Sequence, residues 1–344
     1  MSLTTAQLDR ACGVLLATAA GDALGAGYEF GPPLPDGTAV SMTGGGAFGW
    51  APGEWTDDTS MALAITEVAA SGTDLRTAAA QDAIVARWAR WAETARDVGS
   101  QTSQVLGAVR HGDAAAGGGA PDGGAAGCAA QALAASADLH RRTGHTAGNG
   151  SLMRTAPVAL AYLGDGAEDD LTDAATRLSA LTHYDPEAGE ACVLWCHLIR
   201  HAVRTGSLDA AAGLRHLSDD SRRVWADRLD DAERARPGDF TRNGWVVEAL
   251  QAAWSAITTT PVPAGSHAAS TSRADHLQLA LESAVRGGRD ADTVAAIAGG
   301  VLGALYGASA VPAQWRQALH GWPGLKARDL VTLATTIATG RTHE

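Results

Sequence analysis

The 344-residue chain has a single lysine, Lys326, and a formal net charge of −12. A protein that neutralises a run of phosphates needs the opposite balance, so sequence-tolerant nucleic-acid binding is disfavoured; nucleic acid enters only as a modified substrate. Cysteines are few: Cys12, Cys128, Cys192 and Cys196. They sit at no zinc-ribbon spacing and are too sparse for a disulfide framework, so reduced thiols in the cytoplasm are expected. Long apolar runs are missing as well. No stretch approaches about 18 consecutive apolar residues, and residues 1–10 lack the basic-then-apolar order of a signal peptide, so no membrane association is expected. Aromatic residues make up only 5% whereas hydrophobic residues reach 46%, with alanine the commonest among them. Small apolar side chains at that density suit close-packed helices, and the expected fold class is all-α.

Apolar residues recur at helical spacing over 5–20, where Leu8, Cys12, Val14, Leu15 and Leu16 share the pattern and Gly21-Asp22 is read as its end. Further helices are predicted over 58–70, 75–95, 100–110, 151–163, 170–181, 186–204, 208–217, 221–235, 245–256, 276–286, 292–306 and 328–339. No segment reads as a β-strand. Three loops interrupt the helices: 31–55, the glycine-rich 114–126, and 258–273. Similar composition resumes on both sides of each, so one domain over 1–344 is expected. A loop as long as 31–55 is more often functional than idle. Gly44, Gly46 and Gly49 spell G-x-G-x-x-G, but with no strand before them they do not support a dinucleotide fold. Cys192, Cys196 and His197 have metal-like spacing on one helix, yet the apolar residues between them point to core packing.

Two acidic clusters stand out. Thr56-Asp57-Asp58 and Asp290-Ala291-Asp292-Thr293 each open a predicted helix, where one short polar side chain ordinarily caps free N–H groups. Each holds more carboxylates than a cap needs, and like charges this close raise one another's pKa unless a cation neutralises them. Carboxylates with a threonine hydroxyl are hard oxygen ligands that suit Mg²⁺ or Mn²⁺ rather than zinc.

The ordered set Gly21-Asp22-Ala23-Leu24-Gly25, Glu29-Phe30, Gly53-Glu54-Trp55-Thr56-Asp57-Asp58-Thr59, Gly148-Asn149-Gly150-Ser151-Leu152-Met153-Arg154, Thr182-His183 and Gly288-Arg289-Asp290-Ala291-Asp292-Thr293 resembles the ADP-ribosylglycohydrolase family. The motifs run from about Cys12 to Tyr306. The resemblance implies an all-α, single-domain orthogonal multi-helix bundle with a binuclear centre of two Mg²⁺ or Mn²⁺. Its ligands would be Thr56, Asp57 and Asp58 on one side and Asp290, Asp292 and Thr293 on the other. Hydrolysis of a ribosyl bond passes through an oxocarbenium-like state, so the diol must be oriented, water activated and ring charge stabilised. By resemblance the catalytic residues would be Glu29, Asp97 and Asp58, with either Glu29 or Asp97 as general base. Taken alone, Asp97 reads equally as an N-cap ahead of Ser100.

Substrate contacts are expected from Asn149, Gly150, Ser151 and Arg154, where glycine lets backbone N–H groups approach a pyrophosphate, and from His183 and Trp245. An Asn-Gly turn, a structural histidine and a core tryptophan are the plainer readings of the same residues. The substrate implied is an ADP-ribosylated protein carrying modified arginine. Serine, nucleobase and small-molecule linkages are alternatives, as is a non-catalytic ADP-ribose-binding or structural relative. A monomer is expected.

Overall fold

The computed structural model describes residues 3–109, 127–264, 272 and 274–340. The predicted loop 114–126, Arg110, and 265–271 and 273 of the third loop lie outside them. The described chain is mostly helical: α1 (Thr5–Gly25), α2 (Asp57–Ala70), α3 (Ala78–Ala92), α4 (Ser100–Ala108), α5 (Cys128–Thr143), α6 (Ala156–Ala161), α7 (Glu168–Ala180), α8 (Pro186–Thr205), α9 (Ala211–Leu214), α10 (Asp219–Ala232), α11 (Val246–Thr259), α12 (Asp275–Arg286), α13 (Ala291–Tyr306), α14 (Ala313–Ala318) and α15 (Ala327–Thr339). A two-residue hairpin, β1 (His320–Gly321) and β2 (Leu325–Lys326), pairs antiparallel before α15.

The centre is set by small residues. α1 is buried on every side from Ala11 to Gly25, as befits a helix apolar all round, and packs most extensively against α13. The two backbones touch: a Cβ at Gly299 would lie 2.2 Å from the Ala17 carbonyl oxygen, and one at Gly25 would lie 2.3 Å from the Cα of Asp292. This contact brings the end of α1 to the start of α13. It also corrects the expected helix end at Gly21-Asp22. α1 continues to Gly25 because Gly21 is a packing surface, where a Cβ would meet the Ala295 carbonyl oxygen at 2.2 Å.

The predicted helix 151–163 is instead a 3₁₀ turn, Asn149–Ser151, followed by the short α6, which has Pro157 in its first turn. Within 208–217 only the four residues of α9 are helical. The missed α5 buries Cys128, Ala129, Ala132, Ser136 and Ala137 with a single larger residue, Leu139, and so few large apolar side chains mark its face only weakly in the sequence. The hairpin was not predicted because two residues cannot show alternation. It is strapped to the segment before α2: His320 N donates to Gly53 O at 3.0 Å, Trp55 N to His320 O at 3.0 Å, and Trp55 Nε1 to Trp322 O at 3.2 Å. Cys192, Cys196 and His197 are buried in the core. Among the described residues, no helix is long and apolar enough to cross a membrane.

Candidate active site

Capping does not account for either acidic cluster. Thr56, the N-cap of α2, makes no side-chain cap bond, nor does Asp290 ahead of α13. The free donors of α2 are met from α1 instead. Buried Asp22 accepts from Thr56 N at 2.8 Å, Thr59 N at 2.9 Å and Thr59 Oγ1 at 2.6 Å. Asp58 and Asp292 are thereby left facing each other in the core, 0% and 1% exposed, with both threonine hydroxyls beside them. Thr56 Oγ1 donates to Asp58 Oδ2 at 3.1 Å and Thr293 Oγ1 to the same oxygen at 3.3 Å.

Two groups of carboxylates overlap here. Asp22, Asp58 and Asp292 each bring an oxygen within 4.8 Å of the others, and so do Glu29, Asp290 and Asp292. Asp292 belongs to both. Asp58 Oδ1, Asp292 Oδ1 and Glu29 Oε2 are buried with no hydrogen-bond partner among the described residues. Burial pushes the Asp58 and Asp292 carboxyls well up, and neighbouring carboxylates push them further. Glu29 is raised to about 9 by burial and then by Asp97, Asp290, Asp57 and Asp22. Orphaned, hard, negatively charged oxygens in two overlapping sets fit divalent cations, which would reverse each of these shifts.

Local backbone brings Glu29 to this place. Phe30 and Arg289 both have φ of 60°, a left-handed conformation costly for residues other than glycine. They are locked as a pair, Phe30 N donating to Arg289 O at 2.6 Å and Arg289 N to Gly31 O at 2.7 Å. The bridge joins the chain beyond Glu29 to the residue before Asp290. Asn149 secures Asp290 from the opposite side: its Nδ2 donates to Asp290 Oδ2 at 2.6 Å and to Asn243 O at 2.9 Å. Asn243 in turn accepts from Asp290 N at 3.3 Å and donates to Gly288 O at 3.0 Å.

The remaining predicted residues fall into two layers. Gly150 lies on the ring of His183, where a Cβ would be 2.9 Å from Cε1. His183 is 3% exposed; burial, then Arg154, pushes it down to about 3, so the ring is neutral. Its Nδ1 meets Thr182 Oγ1 at 2.8 Å, and Arg154 Nη2 donates to that hydroxyl at 2.7 Å. Arg154 is 1% exposed beneath Trp88, its guanidinium 3.8 Å from the ring centroid. It was expected to touch substrate; instead the structure places it in the core, supporting Thr182 and His183. Ser151 is buried and accepts from Ser179 Oγ at 2.9 Å. Half-buried Trp245 donates from Nε1 to Glu187 Oε2 at 3.1 Å.

Two cavities flank the carboxylates. One, of about 490 Å³, is lined by Gln101, Gly148, Glu187, Arg242, Gly244 and Trp245, beside Asn149 and Asp290. The other, of about 150 Å³, is lined by Asp57 and Asp97 together with tryptophans and Arg96. Asp97 follows α3, and burial and then Asp290 raise it to about 6. The sequence reading passed over Asp22, Asn243 and this tryptophan-lined pocket. Asp22 and Trp55 stood in the quoted motifs, but Asn243 carried no signal beyond its place before Gly244-Trp245.

Comparison with known proteins gives the family. A family model described as ADP-ribosylglycohydrolase matches residues 3–343. ADP-ribosylarginine hydrolase Tri1 of Serratia proteamaculans (strain 568) is 30% identical over 90% of this chain and 74% of its own. The ADP-ribosyl-[dinitrogen reductase] glycohydrolase of Rhodospirillum rubrum is 29% identical over 89% of each chain. A solved structure, an ADP-ribosylglycohydrolase-related protein complex, superposes with a TM-score of 0.67 at 27% identity, covering 97% of this chain and 99% of that one. The chain therefore belongs to the ADP-ribosylglycohydrolase family, and it is a glycohydrolase acting on ADP-ribose linkages.

Proposed function

We propose that this protein is a divalent-cation-dependent hydrolase that frees arginine side chains from ADP-ribose. The observation that carries the cation dependence is the pair of carboxylate groups sharing Asp292, with three buried oxygens lacking partners. The arginine linkage is supported by relatives named ADP-ribosylarginine hydrolase at 30% and 33% identity. Thr56, Asp57, Asp58, Asp290, Asp292 and Thr293 would hold two Mg²⁺ or Mn²⁺. Such ions supply positive charge to anchor the vicinal hydroxyls of the ribose and to lower the pKa of a water.

The chain's own residues do the rest. The nucleotide lies in the larger cavity, with Gly148, Gly150 and Ser151 bringing backbone donors to the pyrophosphate and Trp245 forming a wall. Glu29 is the general base: it takes a proton from the attacking water, whose hydroxyl bonds to the anomeric carbon as the carbon–nitrogen bond breaks. That proton ends on the departing guanidine, so the products are ADP-ribose and a guanidinium. Asp97, across the cluster, faces the leaving group and steadies the positive charge as it returns there.

The test is release of ADP-ribose from an arginine-modified protein, with and without chelator, by the wild type and by Asp58→Ala. Chelator is expected to abolish release, and Asp58→Ala to slow it by about 10³-fold or more, the scale of losing one charge-stabilising group or more. Release that persists in the variant at the wild-type rate would show the metal assignment to be wrong.

A further inference from the structure

The smaller cavity is walled by Trp50 and Trp322, with the carboxylates of Glu54, Asp57 and Asp97 at its edges. Asp57 lines it, and it shares no lining residue with the nucleotide cavity. Aromatic faces among carboxylates make a site for a flat organic cation. The chain's own Arg96 already demonstrates this preference: its guanidinium lies 4.3 Å from the Trp50 ring centroid and pairs with Glu54. That side chain is 43% exposed and donates also to the Phe48 and Gly49 carbonyls, bonds at the surface that water can replace if a ligand displaces it. A second observation is independent of charge. Trp50 is 8% exposed, and its Nε1 is buried without a hydrogen-bond partner among the described residues. A buried indole N–H left unpaired in a native protein calls for a partner, here an oxygen of whatever enters the pocket.

We propose that this pocket is the acceptor subsite and selects a guanidinium, which competes with Arg96 for Trp50 and Glu54 while Trp50 Nε1 donates to a peptide carbonyl of the modified residue. This inference rests on the arginine reading above. Arg96 then has a role in turnover: it reclaims the aromatic face and helps expel the freed arginine. Trp322 reaches the site from the hairpin after α14, held there by the bond from Trp55 Nε1. The segment beyond the motif-bearing core thus contributes to specificity.

Two probes separate the parts of the claim: agmatine, a guanidinium with no carbonyl, and N-acetylarginine amide, which has carbonyls. Binding is read by calorimetry on the full chain, alongside ADP-ribose as a control for the sugar side. Arg96→Gln is expected to tighten agmatine by about tenfold, the scale of one cation–π or charge contact. Trp50→Phe keeps an aromatic face but loses the donor, so N-acetylarginine amide should weaken by about fivefold while agmatine changes little. ADP-ribose affinity should stay constant in both. Agmatine binding that is unchanged or weaker in Arg96→Gln overturns the proposal, as does loss of ADP-ribose affinity in either variant. If these patterns hold but arginine-linked ADP-ribose is not hydrolysed, the pocket stands and the arginine reading falls. If hydrolysis proceeds but neither variant alters probe binding, the reverse follows.

Discussion

Asp22 is the residue on which the acidic clusters depend. One buried carboxylate on α1 accepts three hydrogen bonds at the start of α2, which frees Thr56, Asp57 and Asp58 from capping. Burial, partly offset by the bonds from Thr59 and Thr56, raises it to about 6, so its placement is not free of cost. Asp22→Ala would leave three buried donors without an acceptor, a loss of several kcal/mol at about 1–3 kcal/mol each, relieved in part by removing a desolvated charge. The net expectation is about 2 kcal/mol of destabilisation in chelator at pH 7, read from urea unfolding, with Asp22→Asn about half as severe. A change below about 0.5 kcal/mol would mean that something other than Asp22 caps α2. Nothing in the sequence announces this role. Asp22 interrupts an apolar run and follows a glycine, so local reasoning takes it for a helix end. Its partners lie 34 and 37 residues away, on a different helix.

Among the elements, the long helices were legible because alanine-rich periodic stretches have few other readings, and α8, α12 and α13 start within a residue of their predicted positions. Three of the misses share a cause: α1 running to Gly25, α5 and the hairpin are all settled by neighbours rather than by local pattern. Glycine is the clearest case. An exposed helical glycine replaced by alanine usually gains about 0.5–1 kcal/mol. Gly189 in α8 has only Thr176 Cγ2 within 4 Å of an added Cβ, at 3.9 Å, so Gly189→Ala should stabilise by that amount. At Gly299 the same methyl group would sit 2.2 Å from the Ala17 carbonyl oxygen, and overpacking of a helix contact costs about 1–3 kcal/mol. Gly299→Ala should therefore destabilise by about 2 kcal/mol, and α1 should shift against α13 and carry Asp22 away from Asp292. Thermal unfolding of the two variants tests the pair. Equal effects of the same sign would show that propensity, not the α1–α13 contact, governs these positions.

Across the whole molecule, the carboxylates were visible in the sequence as two crowded helix starts, but how they share Asp292 was not. Two opposing pH dependences result. Burial pushes His183 and His197 down to about 3, so the stability of their neutral forms is present above pH 6.5 and lost as pH falls from there toward 3. The acidic cluster works in the other direction. Its carboxyls are raised, Asp22 and Asp97 to about 6 and Glu29 to about 9, so in chelator their contribution is present below about pH 4 and lost as pH rises through those values. Divalent cations replace the protons, and protons compete with them for the same oxygens. Mg²⁺ or Mn²⁺ at about 100 times its dissociation constant adds about 2.7 kcal/mol to stability, or roughly 4 °C for a chain of this size. That gain should be small near pH 5, where the cluster holds its protons, and much larger near pH 8, where Asp22 and Asp97 have lost theirs. A diffuse effect of cations on a protein of net charge −12 would instead be reproduced by about 0.2 M NaCl. Melting curves in chelator, NaCl and Mg²⁺ at both pH values separate the two. A Mg²⁺ shift equal at pH 5 and pH 8, or matched by NaCl, would place the ions outside the carboxylate cluster.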